Sequence, residues 1–281
     1  MRSAEFTPYT FRLNQMPTER PGKESLCTPH FALRTPHLLH FPSLGSTNDY
    51  LKQLADAPEF TCVTADEQTA GRGRRDHAWV SLPGEGLYLS VLLCPNSAQG
   101  NVALISLLTA IAVAETLAEY RVAGLDIKWP NDVLINECKV CGILVEGASS
   151  GAQALRLIVG IGVNLNHQTF PPEISERATS LFLQLGQTVN VAEFRDRLLA
   201  RLTHWYAQWQ QGQAALIVAR WQALSSYAHG QEVTVTLDDE VIEGVTEGLT
   251  KDGALLVRAA AGEMRTILAG EVMRMRRRYP E

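Results

Sequence analysis

The chain reads as an α+β protein: a mixed sheet with helices, followed by a small all-β barrel at the C-terminal end. Three observations lead there. Between Leu38 and about Tyr227, continuous apolar runs of strand length alternate with stretches of helical periodicity. From Gln231 to Arg274, short alternating segments follow one another at close spacing with polar turns between them. Hydrophobic residues make up 46% of the 281 and charged residues 20%, enough apolar material for a sizeable core. At roughly 150 residues per domain the length suits about two domains.

Taken in order, residues 1–37 hold Pro8, Pro17, Pro21, Pro29 and Pro36 with no apolar stripe between them, so an irregular extension is expected. Ser46 and Thr47 open a short helix through Leu51 and Leu54. Residues 61–65 and 87–94 are continuous apolar runs and predict buried strands. Residues 102–120 have helical length and period. Two short strands, 127–129 and 133–135, flank a Pro-Asn-Asp turn, and Asn136-Glu137 is a hairpin tip before a strand over 140–145. Residues 155–163 form a strand ending in glycines, and 191–209 and 214–227 are helical. The domain boundary falls near His229-Gly230, giving units of 38–228 and 229–281. Within the second, 233–237 and 241–245 are strands around Asp238-Asp239, and Lys251-Asp252-Gly253 turns into a strand over 254–257.

Composition narrows function. Twenty-five basic against thirty acidic residues give a net charge of −5, contrary to a whole-molecule nucleic-acid binder. No apolar run reaches membrane-spanning length: the best, from Val102, is broken by Ser106, Thr109 and Glu115. The N-terminus lacks the apolar block of a secretory signal. Five thinly spread cysteines suit reduced thiols, so a cytoplasmic protein without a membrane partner is expected.

Four segments carry chemistry. Gln68-Thr69-Ala70-Gly71-Arg72-Gly73-Arg74-Arg75-Asp76-His77-Ala78-Trp79 sets arginines among glycines. Glycine lets a backbone close on a ligand, and guanidinium matches carboxylate and phosphate. A solvated basic turn is the bland alternative for this segment alone. Lys128-Trp129-Pro130-Asn131-Asp132-Val133 packs a cation, an amide and a carboxylate into one turn, although most such turns are merely polar. Lys139-Val140-Cys141-Gly142-Ile143-Leu144-Val145-Glu146 opens an apolar strand with a lysine, either an edge gatekeeper or a cation aimed at a site. Its lone C-x-x-C, Cys138 and Cys141, has no second pair for zinc and reads as plain thiols. Gly160-Ile161-Gly162-Val163-Asn164-Leu165-Asn166 lacks the third glycine of a dinucleotide fingerprint and better fits a strand that leaves room for a ligand. His30, His37 and His40 read as surface histidines, and the run Arg274, Arg276, Arg277, Arg278 as a solvated terminus.

In this order, and followed by a small β domain, the four segments resemble the biotin–protein ligases over about Leu38 to Arg274, in the form without an N-terminal DNA-binding domain. The resemblance implies the biotin–lipoate ligase catalytic fold, which is like that of class II aminoacyl-tRNA synthetases. It implies a ligase that makes biotinyl-5′-adenylate from biotin and MgATP, then biotinylates one lysine of a biotin carboxyl carrier protein of acetyl-CoA carboxylase or a related carboxylase. It also implies a homodimer formed edge to edge. Biotin would be held by Ser46, Thr47, Asn48, Gln68, Gly71, Arg72, Arg74, Trp79 and Lys139 over a floor kept open by Gly142, Gly160 and Gly162. Arg72, Arg74, Arg75, Lys128, Asn131, Asp132 and Asn164 would attend ATP, with Mg²⁺ arriving on the nucleotide near Asn164 rather than in a fixed protein site. Lys139, Arg74 and Asp132 would be catalytic. Residues 167–180, with Phe170 and Pro171-Pro172, occupy the place of the family's adenine-covering loop. Where the family often has Gly-Arg, this chain has Asp76-His77, which adds a negative charge and removes backbone freedom; Cys141 replaces a residue that is often glycine.

Other readings are a lipoate or octanoate ligase of the same superfamily, a biotin-responsive repressor, and a catalytically silent binding module. The Gly-Arg-Gly-Arg-Arg loop and Lys-Trp-Pro-Asn-Asp turn favour biotin over lipoate. Residues 1–37 are too short and proline-rich for the paired helices of a repressor.

Overall fold

The computed structural model describes residues 36–95, 101–147, 155–237 and 240–274. Most of the expected extension, the Asp238-Asp239 turn and the Arg276–Arg278 run lie outside the described residues.

The first part is a seven-stranded sheet. Its strands are β1 (His37–Phe41), β2 (Thr61–Ala65), β3 (Gly86–Leu93), β4 (Leu125–Lys128), β5 (Asp132–Ile135), β6 (Cys138–Gly147) and β7 (Leu157–Asn164). Their order is β1-β2-β3-β7-β6-β5-β4. β1 and β2 run parallel and the other neighbours antiparallel, so the sheet is mixed, as its sequence predicts. Helix α1 (Thr47–Gln53) follows β1, α2 (Ala103–Ala118) follows β3, and α3 (Leu181–Leu185), α4 (Val191–Gln210) and α5 (Ala214–Leu224) follow β7. None of the described helices is long and apolar enough to cross a membrane.

Strand alternation divides the sheet into two faces. Leu89, Val91, Cys141, Ile143, Val159, Ile161 and Val163 point one way and share a core with α2, α4 and α5. The opposite face carries Ser90, Gly142, Leu144, Gly160 and Gly162, with α1 at one end over the small cluster Leu51, Val63, Leu92 and Ile158. A central helix as uniformly buried as α2 is apolar all round, which is why its sequence looks almost membrane-like.

The second part is antiparallel: β8 (His229–Thr236), β9 (Val241–Leu249), β10 (Leu255–Ala259), β11 (Met264–Ile267) and β12 (Glu271–Arg274), in the order β11-β10-β9-β8-β12. Val233, Val235, Ile242, Val257, Ile267 and Val272 are buried and continue the same core. The Trp129 indole N–H donates to the Gly253 carbonyl (3.0 Å), tying the two parts together.

Several boundaries differ from those the sequence predicts. β1 starts at His37, inside the stretch assigned to the extension, because its backbone pairs with β2 from His37 opposite Thr61 onward. The last helix stops at Leu224, not 227: Ser225 donates its hydroxyl to the Ile127 carbonyl (2.5 Å) and accepts from the Tyr227 N–H, which turns the chain away. β9 runs on to Leu249, and β11, β12 and α3 have no counterpart in the sequence reading.

Candidate active site

A cavity opens on the glycine-bearing face of the large sheet. Its wall includes Ser46, Thr47, Asn48, Gln68, Arg72, Arg74, Arg75, Trp79, Lys128, Asn131, Asp132, Lys139, Gly142, Gly160 and Gly162. Those expected residues come from segments far apart in sequence. Two do not reach the wall. Gly71 is buried behind it, with the Trp79 carbonyl where a Cβ would sit. Asn164 is also buried, and its amide donates to the Thr179 carbonyl (3.0 Å) and the Lys139 carbonyl (3.4 Å), so it fastens the 167–180 segment to β6.

The floor is main chain. Gly142 pairs directly with Gly162 across β6 and β7, and Gly160 pairs with Ser90 across β7 and β3. The Trp79 indole lies against the first pair. A Cβ on Gly162 would stand 2.4 Å from that ring, and one on Gly142 2.8 Å. The Asn48 amide lies over Gly160, where a Cβ would be 2.5 Å from its oxygen. The Trp79 indole N–H is buried and has no hydrogen-bond acceptor among the described residues.

A polar cluster stands at one end. Ser46 caps α1 by accepting the Asp49 N–H (3.3 Å), which fixes the helix start. Thr47 donates both its backbone N–H (2.9 Å) and its hydroxyl (3.0 Å) to Gln68 Oε1. Gln68 in turn donates to the Ser81 hydroxyl (3.1 Å). Fully buried Ser90 lies 2.7 Å from the Thr47 hydroxyl and 2.5 Å from Asn48 Oδ1. Sequence reasoning overlooked Ser90. A hydroxyl inside the apolar run of β3 was its signal, since a buried polar group needs partners.

The charged end is set by a β-bulge. Asp132 pairs with Gly142 and Val133 with Cys141, but Leu134 pairs with Lys139, so three residues of β6, 139–141, span two of β5. In an unbroken strand, residues 139 and 142 would face opposite ways. The extra residue puts Lys139 on the face of Gly142 and Asp132. Its ammonium reaches to 2.7 Å from Asp132 Oδ1, an ion-pair approach rather than an aligned hydrogen bond. It also stands 5.5 Å from the Trp79 ring centre. Lys128 lies 3.7 Å from the other Asp132 oxygen. The Lys139 backbone is clasped from outside, its N–H donating to the Arg177 carbonyl (2.8 Å) and its carbonyl accepting from the Thr179 N–H (2.9 Å).

The arginine loop closes over this trough. It is a narrow strap, with Arg72 bridged to Ala78 and Arg75 in the left-handed region at φ 52°. Arg72 meets Asp49 and Glu146; burial pulls its pKa down, and these two carboxylates more than offset this. Arg74 donates to Asn131 Oδ1 (3.2 Å) and the Gly270 carbonyl (3.3 Å). Burial lowers the Arg74 pKa, with neighbouring Arg75 adding to the effect and Asp132 opposing it. Arg75 reaches the Thr236 carbonyl (3.4 Å). The C-terminal sheet therefore forms part of the wall through Gly270, Glu271 and Val272, which no local sequence signal could announce.

The cysteines take no part. Cys141 is buried behind the floor, and burial raises its thiol pKa; Cys138 and Cys141 are both free. Among the described residues no group of three His, Cys, Asp or Glu could hold a metal ion.

Residues 40–164 match the biotin/lipoate A/B protein ligase family, a match that by itself leaves the acyl group open. Residues 228–275 match the biotin protein ligase C-terminal domain. The chain belongs to the biotin protein ligase family. It is 36% identical to the biotin–[acetyl-CoA-carboxylase] ligase of Paracoccus denitrificans, over 75% of this chain and 88% of that one. It is 34% identical to the bifunctional ligase/repressor BirA of Bacillus subtilis (strain 168), over 87% and 77%. A biotin protein ligase of Aquifex aeolicus, solved in complex with biotin and ATP, superposes with a TM-score of 0.76 at 32% identity, covering 85% of this chain and 99% of that one. The activity of the chain is that of a biotin protein ligase.

Proposed function

We propose that this cavity runs both half-reactions of biotin ligation, with Lys139 at its centre. The observation that carries the proposal is the convergence of Lys139, Lys128, Arg74 and Asn131 on one cavity beside the glycine-bearing strands. The first step joins two anions. A biotin carboxylate oxygen attacks the α-phosphorus of ATP, the bond to the bridging oxygen breaks, and pyrophosphate leaves with the electron pair. Charge repulsion at short range costs several kcal/mol where the dielectric is reduced. Lys139 and Arg74 offset it and stabilise charge on the transferring group. Holding both reactants in line supplies much of the remainder. Magnesium enters with ATP as part of the substrate.

Thr47, Gln68, Ser46 and Asn48 offer the fixed donors and acceptors suited to a cyclic urea. Trp79 over Gly142 and Gly162 forms an apolar wall for the acyl chain. Arg72 and Arg75 complete the anion-binding strap, and the 167–180 segment covers the adenine. The strap keeps water from the mixed anhydride. In the second step the carrier lysine nitrogen attacks the acyl carbon, AMP departs, and the amine proton passes to a base. Asp132, the carboxylate beside Lys139 in the cavity wall, takes or orients that proton. The acceptor is a biotin carboxyl carrier domain. Homodimerisation edge to edge through the seven-stranded sheet, which ends in β1 and β4, belongs to the same reading.

Incubation with biotin, MgATP and a carrier domain tests the whole scheme. The expected result is a carrier mass gain of one biotinyl group that needs both substrates. Lipoate replacing biotin with equal efficiency, or biotin binding without nucleotide turnover, would overturn it.

A further inference from the structure

We infer that Glu146 is a positioning residue that couples the binding floor to the strap, an inference that rests on the reading of this cavity as the biotin site. Glu146 is outside the cavity wall, on the site face of β6 two residues beyond Leu144. Its side chain is one-fifth exposed, yet three side chains converge on it. Asn48 Nδ2 donates to Oε2 (2.7 Å) and Lys52 Nζ to Oε1 (2.7 Å). The Arg72 guanidinium spans both oxygens, at 3.3 Å and 3.4 Å.

The partners belong to different working parts. Asn48 lies over Gly160 on the rigid floor, its oxygen held by Ser90. Arg72 opens the strap. Lys52 and Asp49, both on α1, complete a quartet of two cations and two carboxylates, with Lys52 3.5 Å from Asp49 and Arg72 2.5 Å from it. Burial opposes the charge on Glu146, but the donors Lys52 and Asn48, with Arg72 beside them, keep its pKa below the ordinary carboxylate value. It is therefore an anion across the neutral range.

One carboxylate shared in this way makes its partners interdependent. If Asn48 turns toward a ligand, Glu146 loses a donor and holds Arg72 more firmly. If Arg72 swings onto a ligand anion, the carboxylate tightens on Asn48 and fixes its amide plane. A ligand's neutral head and its acid end are thus sensed through one side chain. A purely structural salt bridge would stabilise the fold without linking the two.

The test is a mutant cycle on biotin Kd by calorimetry, using full-length protein. Asn48→Ala and Arg72→Ala are measured singly and together, in the parent and in an E146Q background. Coupling predicts that in the parent the double variant departs from the product of the single effects by at least about threefold, and that E146Q reduces the departure to the error of the measurement. Independence of the two sites in the parent overturns the inference, and that arm needs no E146Q protein. Coupling that persists in folded E146Q, checked by thermal melting, overturns it equally. Should the parent fail to bind biotin, the reading of the site falls as well. Binding with additive variants removes this inference alone.

Discussion

The floor and the strap of this site are built on opposite principles. The floor is a run of paired strands, β3-β7-β6, bare at its glycines, with the strands joined by ladder hydrogen bonds. The strap has one isolated bridge, from Arg72 to Ala78, and arginine contacts to α1, to β6, to Asn131 and to the C-terminal sheet. The ion pairs of Arg72 contribute roughly 0–1 kcal/mol each, and Arg74 and Arg75 donate to uncharged oxygens. The floor can therefore select a shape, whereas the strap can open and close at little cost. In the proposed scheme recognition falls to the stiffest part of the site and closure to the loosest.

Breaking the chemistry at the junction of the two has the largest effect. Lys139→Ala removes the one ammonium that faces both Asp132 and the Trp79 ring. Adenylate formation, read as pyrophosphate release, is expected to fall by about 10³-fold while the thermal midpoint moves little. Near-normal pyrophosphate release would mean that Lys139 only balances Asp132.

Next comes the floor. Gly162→Ala places a methyl where the Trp79 ring now lies. Because Trp79 belongs to the strap and not to the core, the ring should move and the protein should stay folded. Biotin affinity measured by calorimetry should drop by roughly a hundredfold. An unchanged Kd would show that the trough has spare room.

The strap alone should give a smaller change. Arg74→Gly removes the contacts to Asn131 and to the Gly270 carbonyl. Loss of about 1 kcal/mol of hydrogen bonding corresponds to roughly a fivefold rise in adenylate released to solvent. The rate of its formation should fall too, since the proposed scheme sets Arg74 against the reacting anions. Leakage equal to that of the parent would sink the idea that the strap retains the intermediate.

The smallest effect concerns the base of the 167–180 segment. His167 is buried against Phe170, and burial pulls its pKa from 6.5 down to about 4, with the Glu85 carbonyl partly opposing. Between those values the unfolded chain binds the proton and the folded one does not. Stability therefore falls as pH drops from about 6.5 towards 4, and this contribution is flat above that range. His167→Gln should flatten the decline in melting temperature between pH 6.5 and 5. Equal slopes in the two proteins would assign the acid sensitivity to other groups.

Legibility in the sequence followed the range of the interaction. Gly160 and Gly162 were readable because alternation with Val159, Ile161 and Val163 shows which face is bare. Asn136-Glu137 was readable as a hairpin tip, and both residues have positive φ. The aim of Lys139 was not readable, because it depends on one extra residue in β6 relative to β5, and a strand carries no mark of its partner's register. Asn164 was misplaced for a related reason. Its amide at the end of a strand looked like a ligand group, but the chain beyond it folds back and supplies the Thr179 carbonyl.

By itself the sequence determined the two-part α+β plan, the bare positions on β6 and β7, and the stock of cations available for an acid and a phosphate. Periodicity and glycine placement act over a few residues and need no partner. The pairing of those groups was decided only in three dimensions. Arg72 meets a carboxylate 74 residues away, Arg74 a carbonyl 196 residues away, and Lys139 turns to Asp132 through a bulge. Such contacts depend on strand register and on the docking of the second sheet, which the whole core fixes at once.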